Sequence, residues 1–199
     1  MSESESDKAV DHDTKPKETT VFRGKIGEVV HIEQKDGRVF EQFRRPPGTR
    51  LITISPDNRV LVSREYRHET GTVDLRLPGG KVCDTLEEYD ALRNSGADMV
   101  EQAKLGMTKE AGEEAGLDIH DPKLVTVANA GATVDWDLYY WEVHDYTERS
   151  EGQDLEEGED ITTQWMTPAE LREAIENGQM QEWRSVGVLL AMVLPKLES

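Results

Sequence analysis

The stretch Lys109-Glu110-Ala111-Gly112-Glu113-Glu114-Ala115-Gly116-Leu117 decides how this chain is read, because it gathers three carboxylates into little more than one helical turn. Each residue of an α-helix advances by about 100°. Glu110, Glu113 and Glu114 therefore project from one face and lie close together. Carboxylates that close repel each other unless a cation sits among them. Upstream, Val100, Ala103, Met107 and Ala111 recur at helical spacing, and their stripe runs beside the glutamates, so the acids border the buried face. Gly116 suits the left-handed C′ position and Leu117 can fold back onto the last turn, so the helix is expected to stop just past its carboxylates.

An isolated Glu-x-x-Glu-Glu is ordinarily a solvated helix face. Leu77-Pro78-Gly79-Gly80 changes that reading, because it would bring a bare backbone turn close to the same carboxylates. Together the two segments resemble the Nudix box, written G-x5-E-x7-R-E-U-x-E-E-x-G-U with U aliphatic. Glu101, then residues 102–108, then Lys109-Glu110-Ala111-x-Glu113-Glu114-x-Gly116-Leu117 match its second part, with Lys109 replacing the usual arginine. Between Gly80 and Glu101 lie residues 81–100, which is fifteen more than the five of the pattern and reads as an insertion.

At 199 residues the chain suits one domain with a sizeable core. Its net charge of −18 argues against binding nucleic acid or an anionic membrane. An anionic substrate then requires a metal or local arginines. The single Cys83 excludes an intramolecular disulfide, and no apolar signal or spanning segment is visible, so a soluble, cytoplasmic protein is expected.

Residues 1–20 are polar and charged and read as a disordered tail, with His12 and Asp13 solvated rather than metal-binding. Structure is expected to start near Val21. Residues 21–43 suggest a hairpin, with Val29, Val30 and Ile32 before a Lys35-Asp36-Gly37-Arg38 turn and Val39, Phe40 and Phe43 after it. Residues 51–54 and 60–62 flank Ser55-Pro56-Asp57-Asn58 as a second strand-turn-strand unit. Ser63-Arg64-Glu65-Tyr66-Arg67-His68 is a small basic cluster leading toward the glycine turn. Its arginines suit phosphate, or else an ion pair with Glu65 or Glu69. Within the insertion, Thr85 and Glu88 form a capping box for a short helix that Asn94-Ser95-Gly96 ends.

Residues 124–128 and 138–143 read as strands. Between them Trp136 either stacks on a base or covers the sheet, the second being the commoner role. Residues 148–160 read as a mobile acidic loop, 161–166 as a strand, and Thr167-Pro168-Ala169-Glu170 as a capped helix start. A final apolar helix follows over 183–194. In the acidic loop, alternation along an extended segment would put Glu157 and Glu159 on one side, with Gly158 between them.

The resemblance covers about residues 21–194 and is nearest to the ADP-ribose pyrophosphatase branch. It implies an α/β fold, an αβα sandwich with a mixed β-sheet. Residues 21–48 would form an N-terminal hairpin extension that pairs two copies into a homodimer, and residues 49–199 the hydrolase domain. The implied reaction is Mg²⁺-dependent, or Mn²⁺-dependent, hydrolysis of the pyrophosphate bond in a nucleoside diphosphate linked to another group, ADP-ribose or a related nucleotide sugar. Glu110 and Glu114 would be metal ligands, with the Gly79 carbonyl and Glu159 completing the set. By the same resemblance Glu113 supports the cluster, Lys109 holds a glutamate in place, Glu157 is the general base and Arg67 binds substrate. The loop after residue 128 lacks the Pro-Gly common in that branch, which leaves the nucleoside diphosphate open. Two other readings stay open: a fold of this type that binds nucleotide without hydrolysis, and a calcium loop over residues 154–160.

Overall fold

The structure is a computed structural model that describes residues 16–68 and 70–198. Its first strand, β1 (Lys17–Arg23), pairs antiparallel with β2 (Glu28–Glu33), which pairs with β3 (Val39–Arg44) across the anticipated turn. The sequence pattern missed β1 and placed the start of structure at Val21. All seven residues of β1 are exposed, so the backbone ladder to β2 makes this strand and burial leaves no trace in its composition. Residues 1–15, including His12 and Asp13, lie outside the described residues, as does Glu69. Buried Arg44 holds the strands of this sheet to one another, pairing with Glu18 and Asp135, each at 2.9 Å, and with Glu28 at 3.6 Å.

Next come β4 (Gly48–Thr53), buried along its whole length, and β5 (Val60–Arg67). The turn between them forms as the sequence suggests, with the Arg59 N–H donating to the Ser55 hydroxyl at 2.9 Å. The strands themselves do not make a hairpin. Only Ile54 and Val60 bridge, and β5 instead becomes the middle strand of an antiparallel sheet, between β12 (Ile161–Met166) and β6 (Thr72–Arg76). Two other segments satisfy the edges of β4. One is β10 (Leu138–Val143), parallel to it and in turn antiparallel to β8 (Lys123–Ala128). The other is the glycine turn: the Thr49 N–H donates to the Gly80 carbonyl at 2.9 Å and the Leu51 N–H to the Pro78 carbonyl at 2.8 Å. Pairing with β5 would displace that turn.

The insertion holds α1 (Leu86–Ser95), with the Thr85–Glu88 capping box and a left-handed Gly96 as anticipated. Arg23 of β1 reaches it, at 2.9 Å from Asp90 and 3.3 Å from Glu87. Then follows α2 (Met99–Ala115), closed by Gly116 at φ 64°. β7 (Leu117–His120) pairs with β11 (Asp145–Glu148), and the short β9 (Val134–Asp135) runs parallel to β3. The helix α3 (Pro168–Glu176) begins at the predicted Thr167–Glu170 box. The C-terminal helix starts as α4 (Trp183–Val188), widens into a π-helical turn over Leu189–Val193 and ends as α5 (Leu194–Leu197). Pro195 has no N–H to offer in that last turn.

Alternation along the strands builds two cores. Leu51, Tyr139, Trp141 and Val143 face α2 and pack on Ala103, Met107 and Ala111. Ile52, Leu138 and Tyr140 face the other way and pack with Leu171, Val186 and Leu189 of the C-terminal helices. A helix therefore covers each face of the sheet layer, the αβα sandwich expected. No helix among the described residues is long and apolar enough to cross a membrane.

Candidate active site

The rotation of α2 about its axis is set by Ala103, Met107 and Ala111, each at most 1% exposed. With that stripe buried, Glu110 and Glu114 lie at its border and meet the glycine turn, whose own position the edge of β4 dictates. The Gly79 N–H donates to the Glu114 carboxylate at 2.7 Å. Gly79 sits at φ 140°, and an added Cβ would strike the Thr49 carbonyl. At Gly80 a Cβ would overlap the Glu110 carboxylate. The turn thus lies directly on both acids, as the sequence pattern suggested. Glu113 is turned toward Lys109, whose Nζ is 3.3 Å from its carboxylate on the more exposed flank.

Burial pushes the Glu110 carboxyl up to about 7, with Lys109 opposing and Glu113 and Glu159 adding to the rise. Burial likewise pushes Glu114 up to about 8, opposed by the Gly79 N–H and by Arg50 and reinforced by Glu110. Two carboxylates that favour protonation because they are desolvated and adjacent are suited to a hard divalent cation, which would offset both effects. Among the described residues no three His, Cys, Asp or Glu side chains form a ready-made cage. The protein therefore supplies two close carboxylates, and backbone carbonyls, water or substrate oxygens would fill the remaining positions. The same finding leaves the acidic loop without the convergent ligands of a calcium site.

A cleft of about 390 Å³ opens beside these acids, within the size range of small-molecule sites. Arg67 lines it and pairs with Glu65 at 2.8 Å, the ion pair the sequence allowed for. Arg76 reaches the same Glu65 at 3.3 Å. Trp136 is at the wall with the guanidinium of Arg45 over its ring at 4.3 Å and that of Arg184 at 4.0 Å. Those contacts favour the covering role over base stacking.

Glu159 lines the cleft together with Glu114, whereas Glu157 is exposed and outside its lining. The expected alternation along an extended segment does not occur. The Glu159 N–H donates to the Glu156 carbonyl at 3.1 Å, its carboxylate accepts from the Glu156 N–H at 3.0 Å, and Gly158 takes φ 95°. That makes a tight turn with Glu157 at its corner. Sequence reasoning also missed Arg45, Arg50 and Arg76 in the cleft. Arg50 was detectable as a lone cation within an otherwise buried strand, next to the apolar run 51–54.

No protein-family model and no curated protein sequence matches the chain. Among solved structures, an ADP compounds hydrolase superposes with a TM-score of 0.63 at 22% identity, over 92% of this chain and 93% of its own. That likeness shows the fold alone: the chain is a mixed α/β sandwich like that of this protein.

The raised carboxyls predict how the metal-free protein responds to pH. Folded Glu110 and Glu114 hold protons well above their ordinary 4.5, so between that pH and about 8 the folded state binds more protons than the unfolded state. Stability must then fall as pH rises through this window, by on the order of a few kcal/mol. Glu114→Gln cannot ionise and should flatten most of the slope in thermal melts run with a chelator. A variant whose pH slope equals that of the wild type would contradict the burial and coupling described.

Proposed function

We propose that the chain hydrolyses the pyrophosphate bond of a nucleoside diphosphate linked to another group, with ADP-ribose or a related nucleotide sugar as the substrate class. The observation that carries this reading is half-buried Glu110 beside buried Glu114 under a glycine turn, with Glu114 lining an arginine-rich cleft in a chain of net charge −18. An acidic protein gathers cations at one place when that place receives an anion. Its fold is shared with a protein described as an ADP compounds hydrolase.

In this reading water attacks one phosphorus, the bond from that phosphorus to the bridging oxygen breaks, and the bridging oxygen leaves with the other phosphate. The products are a nucleoside monophosphate and the phosphorylated partner group. Mg²⁺, or Mn²⁺, held by Glu110 and Glu114 would neutralise the pyrophosphate and stabilise charge in the transition state. Glu159 and the Gly79 carbonyl are the further ligands we assign, although that carbonyl already accepts from Arg50 at 3.2 Å and would contribute through its second lone pair. Lys109 orients Glu113, which supports the cluster from its flank. Lysine gives a single point contact where arginine would give a fork. Arg67 binds substrate from β5, and Glu157 in the neighbouring turn takes the proton from water, which requires that turn to swing toward the cleft.

One competing reading has specific support. The lack of a third convergent acid among the described residues favours a nucleotide-binding domain that does not hydrolyse. A screen of nucleoside diphosphate sugars with Mg²⁺, read by phosphate-containing products, separates the two.

In that screen Glu114→Gln should lower the rate by about two orders of magnitude or more while the fold persists, because it removes a charged ligand and keeps the shape. A rate equal to the wild type would rule out the assignment. Glu157→Gln should lower kcat with the Mg²⁺ requirement unchanged, whereas Glu159→Gln should raise the Mg²⁺ concentration needed for half activity. If neither changes, the loop supplies no catalytic group and Glu113 becomes the candidate base.

The homodimer is our proposal from the N-terminal sheet, which leaves Val21, Phe22, Ile26, Val39 and Phe40 about half exposed or more. Light scattering at micromolar concentration should return twice the 22.5 kDa chain mass. A monomer mass would contradict it.

A further inference from the structure

The last turn of an α-helix leaves carbonyls that the helix itself cannot satisfy. In α2 that turn carries Glu113 and Glu114, and the segment that follows β11 supplies the missing donors. The Asp154 N–H donates to the Glu113 carbonyl at 2.9 Å and the Arg149 N–H to the Gly116 carbonyl at 2.8 Å. Between them the side-chain amide of Gln153 donates to the Glu114 carbonyl. Two glycines let this strap lie so close. A Cβ at Gly112 would overlap the Arg149 guanidinium, which Asp118 holds through Nε at 2.7 Å, and a Cβ at Gly116 would press on the backbone of Gly152 and Gln153. Glycine inside a helix weakens it, so the contact at Gly112 is made at the expense of α2. Gln153 also reaches across the loop that it opens. The same Nε2 lies 3.4 Å from the carbonyl of Ile161, the first residue of β12. One amide therefore holds both ends of residues 154–160, the stretch whose turn carries Glu157 and Glu159.

We propose that Gln153 is a positioning residue of the site: its amide ties the base of the 154–160 loop to the backbone of Glu114 and so sets where Glu159 stands in the cleft. The charge of the loop makes such a tether necessary. Asp154, Glu156, Glu157, Glu159 and Asp160 repel one another and also Glu114, so an unheld loop would carry Glu159 away from the cleft that both residues line. It would also spread that side chain over many backbone conformations. A neutral amide suits the task, because it donates to both carbonyls without adding a charge beside the acids. The bond is made to the main chain of the residue whose carboxylate shares the cleft with Glu159, so loop and helix are registered at the site itself. The inference rests on our assignment of Glu159 as a metal ligand.

The test is calorimetric titration of the substrate-free full chain with Mn²⁺. Gln153→Met keeps the length of the side chain and loses its N–H donors, and it should bind about tenfold more weakly, the loss typical of removing a group that orients a metal ligand. If that variant does not fold, Gln153→Asn carries the test with a smaller loss in the same direction, because its amide falls one methylene short of the two carbonyls. The double variant Gln153→Met/Glu159→Gln should bind no more weakly than Glu159→Gln alone, since the amide acts through that carboxylate, whereas a merely structural contact would give additive losses. Unchanged affinity in the Gln153 variant, or additive losses in the double variant, would overturn the role. The titration uses no substrate. The coupled loss in a chain that hydrolyses no nucleoside diphosphate would keep the role of Gln153 and overturn the hydrolase reading, and a wild type that binds no Mn²⁺ would overturn the metal assignment together with this role.

Discussion

The site depends on one hydrogen bond and on what fixes its two ends. The Gly79 N–H meets the Glu114 carboxylate at 2.7 Å. On one side the donor is held because the glycine turn completes the edge of β4, through Thr49 and Leu51. On the other side the acceptor is held because α2 buries Ala103, Met107 and Ala111 against β4 and β10. Neither end can shift without breaking a sheet edge or a packed core, so the carboxylates are rigidly placed before any ligand arrives. That is what a site must have if binding energy is to go into chemistry and not into ordering the protein.

The same rigidity explains the electrostatics. Helix packing takes Glu110 and Glu114 out of water, and the turn covers them, so both favour protonation in the absence of a cation. The stability lost by holding them charged is a stored preference for a cation. Arg50, Arg67 and Arg76 line the same cleft as Glu114. In the proposed function, a pyrophosphate bound with a divalent cation would meet the carboxylates through the metal and the arginines through its phosphates.

Much of this was legible in the residues. The helix with its carboxylates, its Gly116 stop and both capping boxes follow from periodicity and local capping chemistry, which act over a few residues, whereas the sandwich was implied by the family resemblance those residues carry. Pairing partners were less legible, because they are decided over distance. Residues 51–54 and 60–62 look like two arms of a hairpin, yet β4 pairs with β10 from far along the chain. The fully exposed β1 has no burial pattern to read, and the turn at Glu157 depends on a bond between Glu156 and Glu159 that composition does not reveal. Arg45 was missed for a related reason, since its packing on Trp136 is visible only once every neighbour is placed, whereas Arg50 was detectable as a lone cation beside the apolar run 51–54.

The central claim is that Glu110 and Glu114 hold one divalent cation between them beneath the glycine turn. Anomalous diffraction from crystals of the full chain grown with Mn²⁺ tests it most directly. The account predicts a strong anomalous peak within bonding distance of both carboxylates, and its loss in crystals of Glu114→Gln. A manganese peak elsewhere in the molecule, or well-ordered Glu110 and Glu114 side chains with no peak beside them, would contradict it.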